Sequence, residues 1–244
     1  MNGLTSRLAL RLERYSPLGT EDKQALENEA LEIRRYAPRD SLVRQGALVE
    51  RIFAIVEGFA CRYKLLPDGR RQNTGFMLPG DLCDTRTFAL PYMDHSIAAI
   101  SNVQAVLLTA DAVRRLESVA GLAQALVRNS LVEQSIAREW MINVGYRTSF
   151  ERLSHLLCEL FERLQVVGLT RANACEIPLT QTEIADTLAL SAVHVNRTLM
   201  ELRRSGLVTF QSKQLVIHDY PTLRRAAGFD SAYLYFARSG EAID

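Results

Sequence analysis

Residues 179–218 (LTQTEIADTLALSAVHVNRTLMELRRSGLVTFQSKQLVIH) restrict the folds open to this chain more than any other stretch. Thr180 stands three residues before Glu183, a spacing at which the hydroxyl caps a helix start while the carboxylate reaches back. Ile184, Ala185 and Leu188 then fall on one inner face. A second helix begins at Ser191 and turns Val195, Leu199 and Leu202 inward, which leaves Val193, His194, Asn196, Arg197 and Met200 outward. Gly206 supplies the left-handed residue that ends it. Residues 207–210 and 215–218 read as two short strands around 211–214, a hairpin wing. Two short capped helices, a tight connection and a β-wing define a winged helix-turn-helix, a unit that lays its second helix in the DNA major groove.

Charge fits that expectation only locally. The net charge of the 244 residues is +1, so no overall basic field points to nucleic acid. Residues 191–225, however, carry Arg197, Arg203, Arg204, Lys213, Arg224 and Arg225 against Glu201 and Asp219, a local balance of +4 where phosphate contact needs it. Arg203 and Arg204 also suit a helix C-terminus on dipole grounds alone. The length favours two domains over one. No apolar run approaches the roughly 20 residues needed to span a bilayer, and the amphipathic start MNGLTSRLALRLERY lacks a signal-peptide core, so a cytoplasmic protein without membrane contact is expected.

Ahead of the DNA-reading stretch the pattern changes twice. Helices are expected over residues 6–15 and, capped at Thr20-Glu21-Asp22, to about Glu29. Leu31, Ile33, Leu42 and Val43 then start a series of short strands, continued by 51–57, 59–66, 70–77, 97–101 and 104–109 and punctuated by Gly46, Gly58, Gly69, Gly75 and Gly80. Pro67-Asp68-Gly69-Arg70 reads as a hairpin turn. Such a series predicts a β-sandwich or roll. Asp111 opens a short helix, and a longer one follows to about Gly145. Along it Ala120, Ala123, Val127, Ser130, Gln134, Ala137, Met141 and Val144 step by threes and fours, the seam of a two-stranded coiled coil, while Leu122, Leu126 and Leu131 offer a second apolar face to the roll. Residues 145–148 are a hinge candidate, and Leu153, Leu156, Leu157, Leu160 and Phe161 mark the next helix. The expected fold is α+β in three parts: an N-terminal β-roll over 1–110, a linker and dimerisation helix over 111–146, and the winged helix-turn-helix domain with a C-terminal extension over 147–244. In that extension Leu223, Phe229, Tyr233, Leu234 and Phe236 are expected to pack on the winged domain, with the last few residues loose.

The four cysteines, Cys61, Cys83, Cys158 and Cys175, are widely spaced, which argues against a metal cage or disulfide framework. Cys61 and Cys158 lie in apolar patterns and read as buried thiols. Cys175, in RANACEIP, reads as an exposed loop thiol, either inert or redox-responsive. A metalloenzyme on the roll would need clustered histidines, but His95, His155, His194 and His218 are scattered, so neither an enzyme nor a metal site is expected.

The order roll, long helix, hinge and winged helix-turn-helix resembles the Crp/Fnr family of bacterial transcription regulators, over residues from about 25 to 219. Ile55-Val56-Glu57-Gly58, Leu66-Pro67-Asp68-Gly69-Arg70, Leu78-Pro79-Gly80-Asp81 and residues 179–217 carry the resemblance. It implies a cyclic-nucleotide-binding-like roll, a homodimer, double-stranded DNA and RNA polymerase as partners, and activation or repression at promoters. Cyclic-nucleotide-binding members place a Gly-Glu pair and an Arg-Ser pair where this chain has Asp84-Thr85 and His95-Ser96. An acidic residue and a neutral histidine hold a cyclic phosphate poorly, so no cyclic-AMP response is expected. There is no cysteine before Cys61 for the iron–sulfur cluster of the oxygen-sensing members, and His95 is the only histidine in the roll for a haem, so no cofactor is expected. Regulation by abundance and sensing of an unidentified effector both remain open.

The resemblance also places the DNA contacts. Arg197 sits where family members reach guanine, and Val193 where they usually carry a glutamate. A valine meets a thymine methyl better than a cytosine amine. Asn196 suits an adenine or a phosphate. Backbone contacts are expected from Thr180, Gln181, Thr182, Ser191, His194 and Lys213. The competing reading, a winged domain that docks protein instead of DNA, has the outward Arg197 and Asn196 against it.

Overall fold

A computed structural model describes residues 3–29, 32–84 and 87–236. The chain divides into two compact units: Met1–Tyr63, Phe76–Ile136 and Ala232–Asp244 form the first, and Lys64–Gly75 with Ala137–Ser231 the second.

The first unit opens with helices α1 (Gly3–Glu13) and α2 (Thr20–Asn28). Strands follow, with the end of β4 and most of β5 belonging to the second unit: β1 (Glu32–Tyr36), β2 (Ser41–Val43), β3 (Ile52–Glu57), β4 (Ala60–Leu65), β5 (Arg71–Met77), β6 (Leu82–Cys83), β7 (Ser96–Ala99) and β8 (Val103–Leu108). They make two four-stranded sheets, ordered β1-β8-β3-β6 and β2-β7-β4-β5. Helix α3 (Ala110–Glu117) and the long α4 (Ala120–Gly145) come next. The run IFAIV in β3 has no polar member because both faces of that strand are covered. Alternate side chains separate cleanly: Phe53, Ile55, Val103, Ala105 and Leu107 pack between the sheets, whereas Ile52, Ala54, Val56, Val106 and Leu108 pack beneath the helices. Gly58 is required where it stands, since its φ is +77° and a Cβ there would lie 2.0 Å from the carbonyl oxygen of Asn102.

Two local expectations shift. The second helix is capped one residue early, where the Gly19 N–H donates to the Asp22 carboxylate at 2.7 Å. Leu31, expected to start the strand series, lies outside the described residues. Leu122 and Leu126 of α4 are buried as the roll-facing pair, but Leu131 is 56% exposed. Five residues beyond Leu126, it has turned about 140° around the helix and joins the outer face. That outer face carries Val127, Leu131 and Met141 exposed, with Ala123, Ser130 and Val144 half-buried and Ala120, Gln134 and Ala137 exposed.

The second unit comprises the end of α4, α5 (Ser149–Val166), β9 (Thr170–Arg171), β10 (Ala174–Glu176), α6 (Gln181–Leu188), α7 (Ala192–Arg204), β11 (Val208–Gln211), β12 (Gln214–Ile217) and α8 (Tyr220–Ala227). Thr148 caps α5, and Leu153, Leu156, Leu157, Leu160 and Phe161 are buried along it. Glu159, also fully buried on α5, is held between the Trp140 indole N–H at 2.9 Å and Arg163 at 3.0 Å. The wing is larger than expected: its sheet runs β11-β12-β10-β9. Cys175 is therefore not a loop thiol. It pairs with Leu215 in β10, is buried, and burial pushes its thiol up to about 12, so the exposed, reactive environment that a redox role requires is missing. Cys61, Cys83 and Cys158 are buried free thiols as well.

The C-terminal extension behaves only partly as expected. Leu223 on α8 is buried, and Phe229 meets the His155 ring edge-on at 5.0 Å. Phe236 instead stacks on Tyr15, just after α1, 6.1 Å between ring centroids, and the Arg11 guanidinium lies over its ring. Gly228 in the left-handed conformation stops α8 and turns the chain, which from Ala232 onward belongs to the first unit.

Candidate nucleic-acid interface

Both helices of the reading head begin on side-chain caps. The Thr180 hydroxyl accepts from the Glu183 N–H at 3.2 Å while the Thr180 N–H donates to the Glu183 carboxylate at 2.6 Å, the reciprocal pairing expected from the spacing. At α7 the Ser191 hydroxyl accepts from the His194 N–H at 3.2 Å and pairs with the His194 ring at 3.0 Å. The turn between the helices contains Ala189 at φ 52°, ψ 45°, a left-handed residue without the freedom of glycine. Ile184, Ala185 and Leu188 are buried on α6 and Val195 and Leu202 on α7, whereas Leu199 is half-buried. Thr198 is buried too, its hydroxyl satisfied by the His194 carbonyl at 2.9 Å.

That packing leaves the outer side of α7 to solvent. Val193 is 79% exposed and Met200 47%, and His194, Asn196 and Arg197 are exposed with them. Asn196 donates to the Gln181 side chain at 3.3 Å, joining the first residue of α6 to the middle of α7. Thr180, Gln181, Thr182 and Ser191 are likewise exposed. The hydroxyls of Thr180 and Ser191 already serve the caps. Lys213 occupies the wing tip, where it and Ser212 both have positive φ, the backbone of a two-residue hairpin turn twisted to suit its strands. Arg224 is not part of this face, because its guanidinium lies over the rings of Tyr220 and Phe229.

A second constellation, in the first unit, escaped the sequence reading. Arg62 of β4 meets Asp84 at 3.2 Å and Glu133 of α4 at 2.5 Å. Asp84 in turn meets His95 at 3.3 Å, and the other ring nitrogen of His95 meets Asp94 at 2.7 Å. Burial raises Glu133 to about 7, and Asp84 adds to that rise against the pull of Arg62. Asp84 is held at about 2, since Arg62 and His95 outweigh its burial. Burial opposes protonation of His95, but the bond to Asp84 prevails and its pKa rises, so the two carboxylates beside it pull toward the cation and away from the neutral form expected from sequence. Ser96 accepts from the Gln45 N–H at 3.0 Å, and Thr85 lies outside the described residues. Nothing local in the sequence marks Arg62 or Glu133. Only the folded topology brings them together.

A capped two-helix head with a β-wing, carried on a chain that also forms a β-roll, defines a helix-turn-helix transcription regulator. Residues 151–226 match the Crp-like helix-turn-helix domain, and residues 33–118 match the cyclic nucleotide-binding domain. The chain is 31% identical over 195 residues to the transcriptional activatory protein AadR of Rhodopseudomonas palustris, covering 78% of this chain and 79% of that protein. It is 27% identical to the transcriptional activator protein FnrL of Cereibacter sphaeroides, over 81% of each. The structure of FixK2 from Bradyrhizobium japonicum superposes with a TM-score of 0.72 at 25% identity, over 81% of this chain and 97% of that one. The chain belongs to the Crp/Fnr family of transcription regulators. No helix among the described residues is long and apolar enough to cross a membrane.

Proposed function

We propose that this regulator is a cytoplasmic transcription activator that binds a palindromic promoter site as a homodimer, with α7 in the major groove and RNA polymerase as its second partner. The observation that carries the reading is the outer side of α7, where Val193, Asn196 and Arg197 stand exposed on a helix whose opposite side is sealed by Val195 and Leu202. Arg197 reads guanine through its O6/N7 pair, Val193 packs on a thymine methyl, and Asn196 takes an adenine or a phosphate. Thr180, Gln181, Thr182, Ser191, His194 and Lys213 hold the backbone. The exposed seam of α4 from Ala120 to Val144 pairs two copies, setting the reading helices about 34–36 Å apart. Activation is argued by analogy with the relatives whose names describe them as activators. Arg62, already paired with two carboxylates, is not available to a cyclic phosphate, which supports DNA binding without cyclic AMP.

Selection of bound duplexes from a random pool, followed by binding at several salt concentrations, tests this. The expected result is one palindromic sequence bound with an affinity that falls steeply as salt rises. Retention of the pool without sequence preference would refute it.

A second reading is supported by one feature of the first unit. A groove of about 640 Å³, within the size range of small-molecule sites, has Tyr36, Phe53 and Leu107 along it and Arg34, Arg44 and Arg51 among its polar residues. Asp40 and Glu50 line it too, and Glu32 pairs with Arg34 and Arg51, so it suits a small aromatic effector that carries polar groups of both kinds. Thermal-shift screening without and with small aromatic compounds of that kind separates this sensing regulator from one controlled by its abundance.

A further inference from the structure

The middle of α4 is fastened to the roll in three chemically different ways. Leu122, Leu126 and Val132 pack into the apolar cluster beneath the sheet, and the Asn129 side chain donates to the Leu82 carbonyl at 3.0 Å. Apolar packing and an amide hydrogen bond do not respond to pH. The third fastening is ionic: Glu133 accepts from Arg62, which is itself braced by Asp84. Glu133 stands one residue from Gln134, and three and four residues from Ser130 and Ala137, so whatever fixes it also fixes the angle at which that side of α4 faces outward.

We infer that Arg62 and Glu133 are positioning residues whose partly buried ion pair, extended through Asp84 to His95, makes the presentation of the α4 seam responsive to protons without any bound ligand. The charges around the pair explain why it responds. From β4 comes Arg62, from the segment after β6 Asp84, from the segment just before β7 Asp94 and His95, and from α4 Glu133 itself. Asp81, before β6, is held by Arg11 of α1 at 3.2 Å, and the Cys83 thiol of β6 is buried and uncharged. Three carboxylates thus share two cations, and Asp94 is the one largely in solvent. Glu133 is the carboxylate for which a proton is cheapest to accept near neutrality. Once protonated it offers Arg62 a neutral acceptor, and Arg62 turns to Asp84. Because burial raises Glu133 above the ordinary carboxylate value, the docked helix holds that proton more tightly than a released one, so acid favours docking and alkali loosens it.

This inference rests on the reading that α4 pairs two copies, and the experiment keeps the two separable. Full-length protein without nucleotide is followed between pH 6 and 8 by hydrogen exchange of amides 129–137, corrected for intrinsic rates, and by the dimer dissociation constant in sedimentation. The expected results are faster exchange and a dimer about fivefold weaker at pH 8. Glu133→Gln keeps the shape and an acceptor oxygen but cannot titrate, so both profiles should flatten to the part that His95 contributes. Arg62→Lys should retain the pH response. The double exchange Arg62→Met with Glu133→Leu removes both members of the pair, leaves His95 as the partner of Asp84, and should fold and lose the Glu133 part of the response. Identical pH profiles for the parent and Glu133→Gln would overturn the inference. Should the protein stay monomeric throughout, the dimer reading fails, and the exchange profiles alone decide whether the fastening titrates.

Discussion

Arg197→Ala separates base reading from general attraction to DNA. The side chain is exposed on α7, so its loss opens no cavity, and the fold should change in stability by no more than about 0.5 kcal/mol. A bidentate arginine–guanine contact discriminates by about 1–3 kcal/mol. Taking about 2 kcal/mol in each half of a two-fold site gives about 4 kcal/mol, or roughly a thousandfold in affinity. The assay is fluorescence anisotropy on the selected duplex and on one with the guanine changed to adenine in both halves. The parent should prefer the first by about that thousandfold, and the variant should bind both alike. Lys213→Ala provides the contrast: both duplexes should weaken equally, and the slope of log affinity against log salt should flatten by about 0.9 per copy. If Arg197→Ala weakens the two duplexes by the same factor, Arg197 is a phosphate ligand and the proposed register of α7 is wrong.

Three further outcomes follow from the second unit. Burial lowers His155 to about 3, with Arg147 acting in the same direction, so the unfolded chain takes up its proton first as pH falls below the ordinary histidine value. Stability present above pH 6.5 is then lost toward pH 3 at up to about 1.4 kcal/mol per unit, and chemical denaturation of His155→Leu beside the parent should show that slope removed. Ala189→Gly relieves a left-handed alanine and should raise stability by about 0.5–1 kcal/mol in the same measurement, whereas a loss would mean that the turn is not strained. Arg163→Met strips a cation from the fully buried Glu159 and should cost about 3–5 kcal/mol, a loss that Glu159→Gln in the same chain should partly restore.

The reading head was legible because its determinants are local. A hydroxyl three residues before a carboxylate, apolar steps of three and four, and a glycine after Arg204-Ser205 each act within one or two turns. The wing strands β9 and β10 were not, because each is two or three residues long and their sheet is completed by β12, some forty residues later. Cys175 looked like a loop residue for that reason. Leu131 was misplaced by following leucines along the chain instead of their angle around it. Phe236 was misplaced because the apolar composition of a tail says that it packs, not on what. The charge cluster around Arg62 lay furthest from reach: its members are scattered from residue 62 to residue 133, and nothing but the closure of the roll joins them.

The burial of every thiol has a practical side. With Cys61, Cys83, Cys158 and Cys175 all sealed in the interior, the natural chain presents no thiol at its surface to thiol-directed reagents. A single cysteine placed at Ala137 or Val127 would be the one accessible thiol on each copy, and spin labels, fluorophores or cross-linkers attached there would report on the outer face of α4 without background from the native cysteines.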